Sequence, residues 1–277
     1  HTKDKSFKKI FKLDGSIMTK VSTITACYKS GRYLKGFLDN VQTQTHEDLE
    51  IVLDHNDPPD EEILLVEEHN EKFGNVFHIK VEGVDPLGVS WNRCMENASG
   101  DYLCIWSVDD LRTPESIEVM ANVLDENSDI DYVFGNYNIV SNYGDTQGQY
   151  VDVKPYMQHL KTGMILGPFF MFRKSLLQKI GIFDEQFLCC NDYDFAMRLT
   201  RHGEGKFIPN ILGYYLNEGL GQSTKSDSKQ PIERTVIELR YGFNILEPQL
   251  VSKTREYDVE NIIIDNKKIP VSNYVKL

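Results

Sequence analysis

Cysteine is scarce and unpaired in pattern. The five present, with Cys189 and Cys190 adjacent, form neither an even-numbered disulfide framework nor a zinc-type spacing. A reduced, cytoplasmic protein is the expectation. Long apolar runs are missing too. The best stretch, 164–172, is broken by Gly167 and Pro168, whereas a bilayer span needs about 20 apolar residues. No signal peptide is visible, because Lys3, Lys5, Lys8, Lys9 and Lys12 are not followed by an apolar core and a small-residue cleavage site. Residues 1–19 read as a flexible or ancillary segment. Positive charge is in deficit: 30 basic residues against 42 acidic give a net charge of −12. This balance argues against a general binder of nucleic acid or anionic membrane, while leaving room for peripheral membrane contact through a local basic patch. Internal repeats and low-complexity segments are likewise absent from the sequence.

What the chain does have is core-forming material, 40% hydrophobic and 11% aromatic over 277 residues, enough for one large or two small domains. From Lys20 onward short β-rich runs alternate with helical stretches. Residues 21–27 read as a strand, 33–43 as an amphipathic helix, and 49–53 as a second strand ending at Asp54. Residues 60–73 follow as an acid-opened helix, 76–81 as a third strand, 90–97 as a helix stopped at Ser99-Gly100, and 102–106 as a fourth strand. Such alternation predicts a mostly parallel sheet whose ligands sit outside the carboxyl ends of its strands, where Asp54 and Asp109 both fall. Beyond Pro114 a helix over 115–126 and a strand over 132–140 are expected. A polar excursion then covers 142–166, with a hairpin or small helix. Residues 168–172 read as a strand, 173–180 and 193–201 as helices closed by Gly181 and Gly203, and the chain from Glu233 on as a helix with a strand-like tail.

Asp109 and Asp110 follow directly on the strand that contains Trp106. Two carboxylates there are costly to bury without a cation or donors. Magnesium or manganese takes one or two protein carboxylates and completes its shell with phosphate and water oxygens, which suits a departing nucleoside diphosphate. A solvated turn or helix N-cap is the plainer reading of the pair on its own.

Thr25-Ala-Cys-Tyr-Lys-Ser-Gly-Arg-Tyr-Leu34, Glu50-Ile-Val-Leu-Asp54, Ser107-Val-Asp109-Asp110 and Asn191-Asp-Tyr-Asp194, in this order within about 200 residues, resemble the motifs of the family-two glycosyltransferases. The first is similar to the family's first strand and nucleotide loop, and the second to its second strand with a base-binding acid. Trp91-Asn92 through Ala98-Ser-Gly-Asp-Tyr102 resembles the helix and turn leading to the D-x-D strand, and Ser107-Val-Asp109-Asp110 stands at the D-x-D place. Phe169-Phe-Met-Phe-Arg-Lys-Ser175, Gly181-Ile-Phe-Asp-Glu185 and Asn191-Asp-Tyr-Asp194 resemble the acceptor-side segment.

The resemblance implies a GT-A fold: Rossmann-like α/β, with a mostly parallel central sheet flanked by helices, an acceptor-side segment and a C-terminal tail. It divides the chain into a glycosyltransferase domain at 20–225, split at 114 into nucleotide-binding and acceptor-side halves, and a C-terminal helix and tail at 226–277. It also implies transfer of a sugar from a nucleoside-diphosphate sugar, UDP-linked, to a hydroxyl of a polysaccharide, glycolipid or glycoprotein. The displacement would invert the anomeric centre and use Mn2+ or Mg2+. Ala26, Cys27, Tyr28, Asp54, Asn92, Arg93 and Asp109 are the implied donor-binding residues, Asp109 and Asp110 the metal ligands, and Asp192 the catalytic base. His202 reads as structural. Three departures stand out: Ser107 replaces the first D-x-D carboxylate, Trp91 replaces an arginine, and Asn217-Glu218 stand where many members carry a histidine. They motivate a rival reading, a non-catalytic nucleotide-sugar-binding or scaffold domain. A sugar nucleotidyltransferase is a weaker rival, since Ala26-Cys-Tyr-Lys-Ser-Gly31 is a poor glycine-rich phosphate loop. Lys225, in the stretch 222–225, is a candidate to fold over the diphosphate.

Overall fold

The computed structural model describes residues 18–153, 166–219, 221 and 225–275. The N-terminal basic segment through residue 17, residues 154–165 of the polar excursion, and 222–224 lie outside the described residues. The first half is built from β1 (Val21–Cys27), α1 (Gly31–Gln42), β2 (Leu49–Asn56), α2 (Asp60–Phe73), β3 (Val76–Val81), α3 (Leu87–Asn97) and β4 (Tyr102–Ile105). Then come β5 (Leu111–Arg112), α4 (Ser116–Glu126), β6 (Tyr132–Val140), β7 (Gln149–Val151), β8 (Phe170–Arg173), α5 (Leu177–Ile180), α6 (Asn191–His202) and β9 (Gly205–Leu216). The C-terminal segment adds α7 (Gln230–Arg240) and a hairpin of β10 (Asn261–Ile264) and β11 (Lys267–Pro270).

The main sheet runs β3-β2-β1-β4-β8-β6-β9-β5, with β7 pairing β6. The β3-β2-β1-β4 half is parallel, as the β-α alternation requires. Past β4 the sheet is mixed, because β8 pairs antiparallel with both β4 and β6. The excursion contributes a hairpin partner, β7, antiparallel to β6. β1 is buried on both faces, as expected for a strand covered by helices on either side. Val21, Cys27, Leu49, Ile51 and Leu53 join α1 and α4 in one core, while Ile24 and Val52 join α3, β8 and α6 in another. A third core lies between α6, α7 and the C-terminal hairpin, with Phe187, Met197, Val236, Ile237 and Ile262 at its centre.

Two elements differ from the sequence-based expectation in ways that matter for the site. β2 runs three residues beyond Leu53, so Asp54 sits within the paired strand opposite Ala26 and Ile79. The helix expected from Glu233 begins three residues earlier, at Gln230, and it and the strands that follow it pack around a core of their own.

Candidate active site

The carboxyl ends of β1, β2 and β4 converge with the first turns of α3 and α6. At the end of β1, Ala26 is half-buried, Cys27 buried, and Tyr28 39% exposed. The Lys29 ammonium lies 5.0 Å from the Tyr28 ring centroid, and Lys29 takes a φ of 50°, so the loop turns sharply there. The open Tyr28 ring is a flat apolar surface suited to a nucleobase.

Asp54 is fully buried. It accepts from Asn56 Nδ2 at 2.7 Å and from Arg93 Nη1 at 2.9 Å. Burial pushes its carboxyl up, and the Ser90, Arg93 and Asn56 donors oppose that rise. Arg93 also grips Asp85 at the start of α3. Trp91 fills core space against Phe183, with ring centroids 4.9 Å apart. The Arg93 guanidinium, two positions on, is the one that reaches the strand end. The Asn92 carboxamide is fully engaged: it donates to Phe183 O and Glu185 Oε1 and accepts from the Phe183 amide at 2.8 Å. It ties α3 to the acceptor-side loop. Gly88, one turn earlier, lets α3 approach α6 so closely that a Cβ would lie 2.6 Å from Asn191 Nδ2.

After β4, Ser107 and Asp109 are half-buried, whereas Asp110 is buried. Trp106 Nε1 donates to the Asp110 carbonyl at 3.0 Å, and the Asp110 carboxyl accepts from the Leu216 amide at 2.9 Å. Asp110 is thus turned toward β9. Burial, then the charge of Asp109, holds its carboxyl well above the usual carboxylate range. Below it, the buried Arg112 guanidinium lies between the Trp106 and Phe169 rings and donates to Ile105 O and Ser116 Oγ. Burial also raises Asp109, helped by the nearby Glu218 charge and offset by Arg32. Glu218 itself accepts from Arg32 Nη2 at 2.7 Å and Tyr33 Oη at 3.0 Å. Arg32, Tyr33 and Glu218 therefore stand together on one side of Asp109. Sequence reading assigned Arg32 and Tyr33 no role, because only folding brings the start of α1 against the loop after β9. Lys225 lies 3.9 Å from Asp227.

Asp192 occupies the first turn of α6, half-buried, and accepts from the Tyr193 amide at 2.8 Å. Desolvation, with a contribution from Glu233, pushes its carboxyl up to about 6. Asp194, two residues on, is a different kind of acid. It is fully buried, bonded to Arg198, Arg240 and Tyr241, and Arg198 and Arg240 hold its carboxyl below the usual range despite its burial. The segment entering α6 is fixed from a distance: Glu233 accepts from the amides of Leu188, Cys189 and Cys190 at 2.8 to 3.0 Å.

The family model for glycosyl transferase family 2 matches residues 22–181, more than half of the chain. The chain belongs to this family. It is 30% identical over 189 residues to an uncharacterised glycosyltransferase of Methanocaldococcus jannaschii, covering 64% of this chain and 63% of that protein. It is 26% identical over 205 residues to one of Rickettsia typhi, covering 69% and 62%. The chain thus spans less than two thirds of these relatives' length. Among solved structures, S. aureus TarS (1–349) in complex with UDP-GlcNAc superimposes with a TM-score of 0.65 at 20% identity, covering 80% of this chain and 65% of that one. The Pyrobaculum calidifontis mannosyltransferase PcManGT in complex with GDP-Man and Mn2+ gives a TM-score of 0.56 at 15% identity, covering 92% and 67%. At these identities the likeness shows the fold alone, the GT-A fold. No helix among the described residues is long and apolar enough to cross a membrane.

Proposed function

We propose that this chain transfers a sugar from a UDP-linked donor to a hydroxyl of a glycan, glycolipid or glycoprotein, with inversion, and that Asp192 is the general base. The observation that carries the reading is the contrast along one helix turn. Asp194 is locked in ion pairs, while Asp192 is half-buried with its carboxyl raised to about 6. A carboxylate so placed takes a proton from an acceptor hydroxyl near neutral pH. As the hydroxyl oxygen attacks the anomeric carbon, its proton passes to Asp192 and the bond from that carbon to the diphosphate breaks.

Tyr28 would stack on the base, and Asp54 with Arg93 would set the floor beneath it. Asn92, its groups engaged in tying α3 to the Phe183 loop, is best assigned to positioning those donor-side residues. The surroundings of Asp109 fit a hard divalent cation: Asp109 and Glu218 offer carboxylate oxygens, and Arg32 only partly offsets their mutual repulsion. Asp109 would hold Mn2+ or Mg2+, with Glu218 a further oxygen donor close enough to act on its charge. The Leu216 contact supports an orienting role for Asp110. A bound cation supplies positive charge for the leaving diphosphate. The fold likeness to a UDP-GlcNAc complex supports a nucleotide-sugar donor.

The deciding experiment is a donor screen that follows release of free nucleoside diphosphate, with manganese, magnesium or chelator present. UDP release stimulated by acceptor and abolished in Asp192→Asn is the expected result. Undiminished activity in chelator removes the cation from the account. Ser107 at the D-x-D place favours a second reading, a binding domain without transfer. In that case calorimetric titration shows nucleotide binding while every donor remains unhydrolysed.

A further inference from the structure

We propose that Cys27, His55 and Glu62 form a binding site for a soft divalent cation of the zinc type, separate from the Asp109 site. The three residues come from the end of β1, the end of β2 and the first turn of α2, and all are buried. Their ligand atoms lie within 4.8 Å of one another. His55 Nε2 and Glu62 Oε2 are 2.8 Å apart, and Cys27 Sγ is 4.0 Å from the same carboxylate oxygen. Ligands around tetrahedral zinc stand roughly 3.3 to 3.7 Å apart, as its bond lengths dictate. Adjustments of about an ångström would therefore form a three-residue set, with a water or the second Glu62 oxygen in the fourth place.

The chemistry of the set favours a cation over an ordinary polar cluster. The Cys27 thiol gains little from a carboxylate 4.0 Å away, since sulfur is a weak donor at that range. With a divalent ion bound, one thiolate and one carboxylate balance its charge and His55 ligates as a neutral ring, so the buried site carries no net charge. His78 Nε2 lies 3.2 Å from His55 Nδ1, where it would accept the ring hydrogen once Nε2 is taken by the metal. Binding then releases one proton, that of the Cys27 thiol. Gly31, at the start of α1, leaves room for the Glu62 carboxylate, which a Cβ there would meet at 2.5 Å. Occupancy would clamp α2 to β1 and β2 directly beneath the Tyr28–Ser30 loop.

Cobalt(II), added to the metal-stripped full chain, is the probe, because thiolate ligation gives a charge-transfer band in the near ultraviolet. A saturable band at one equivalent, displaced by zinc, is expected. It should vanish in Cys27→Ser and persist in a Cys189→Ser/Cys190→Ser double variant. Glu62→Gln keeps the thiol and should weaken binding at least tenfold. His78→Gln should weaken it by roughly 10- to 100-fold, as loss of an outer hydrogen-bond partner does. Absence of the band in the parent, its survival in Cys27→Ser, its loss in the Cys189/Cys190 variant, or equal affinity in Glu62→Gln each overturns the proposal. Circular dichroism confirms that each variant is folded. None of these readouts depends on sugar transfer.

Discussion

Asp192 and Asp194 are the same residue type two positions apart, and their surroundings give them opposite properties. Asp192→Asn should lower kcat by about 10² to 10⁴, the usual worth of general-base help, and leave donor KM nearly unchanged. In the parent, kcat/KM should fall as pH drops through about 6, where Asp192 takes up its proton. The same shift has a stability consequence of known sign. Because the folded pKa lies above the unfolded one, the ionised carboxylate costs stability in full above about pH 6, and the cost fades as pH falls from about 6 to about 4, where it is gone. Asp192→Asn should therefore be more stable than the parent at pH 7, by on the order of 1 to 3 kcal/mol, with no gain at pH 3.5; thermal melts at the two pH values check this. At the cation site, Asp109→Asn should abolish the manganese or magnesium stimulation of transfer. Isothermal titration should still detect nucleotide, with the cation no longer improving its affinity.

The helix carrying Asp192 shows why an element can be found in sequence and still have its start misread. The apolar spacing from Tyr193 gives away a helix, but α6 begins at Asn191, with Cys190 as an N-cap whose side chain does no capping. Its approach is held by the Glu233 carboxylate of α7, more than forty residues later, and no local motif encodes that contact. Glu233→Gln leaves one or two buried amides without an acceptor and should cost about 1 to 3 kcal/mol, measured by urea unfolding. It also removes a negative charge near Asp192, so the acid limb of kcat/KM should move to lower pH. A purely structural contact would not move that limb. Helix α2, by contrast, matches its sequence-based bounds. Its acidic first turn and Gly74 at φ 68° are local signals that act where they stand.

Across the whole molecule, one buried arginine joins the C-terminal segment to the acceptor-side half. Arg240 bonds Asp184 at 2.8 Å and Asp194 at 2.7 Å, and donates to the carbonyls of Val259, Asp258 and Asn261. Arg240→Met leaves the buried Asp184 without a cation and Asp194 with Arg198 alone, and should cost about 3 to 5 kcal/mol, visible as a large drop in the denaturant midpoint. The sequence by itself determined the alternation of strands and helices, and with it a mostly parallel sheet with Asp109 just beyond its fourth strand, because hydrophobic period and turn residues are local properties. Tertiary structure alone decided the antiparallel insertion of β8, the gathering of Arg32, Tyr33 and Glu218 beside Asp109, the grip of α7 on α6, and the meeting of Cys27, His55 and Glu62. Each of these depends on residues distant in the chain coming within hydrogen-bonding or ligating reach, and that is set by packing rather than by spacing.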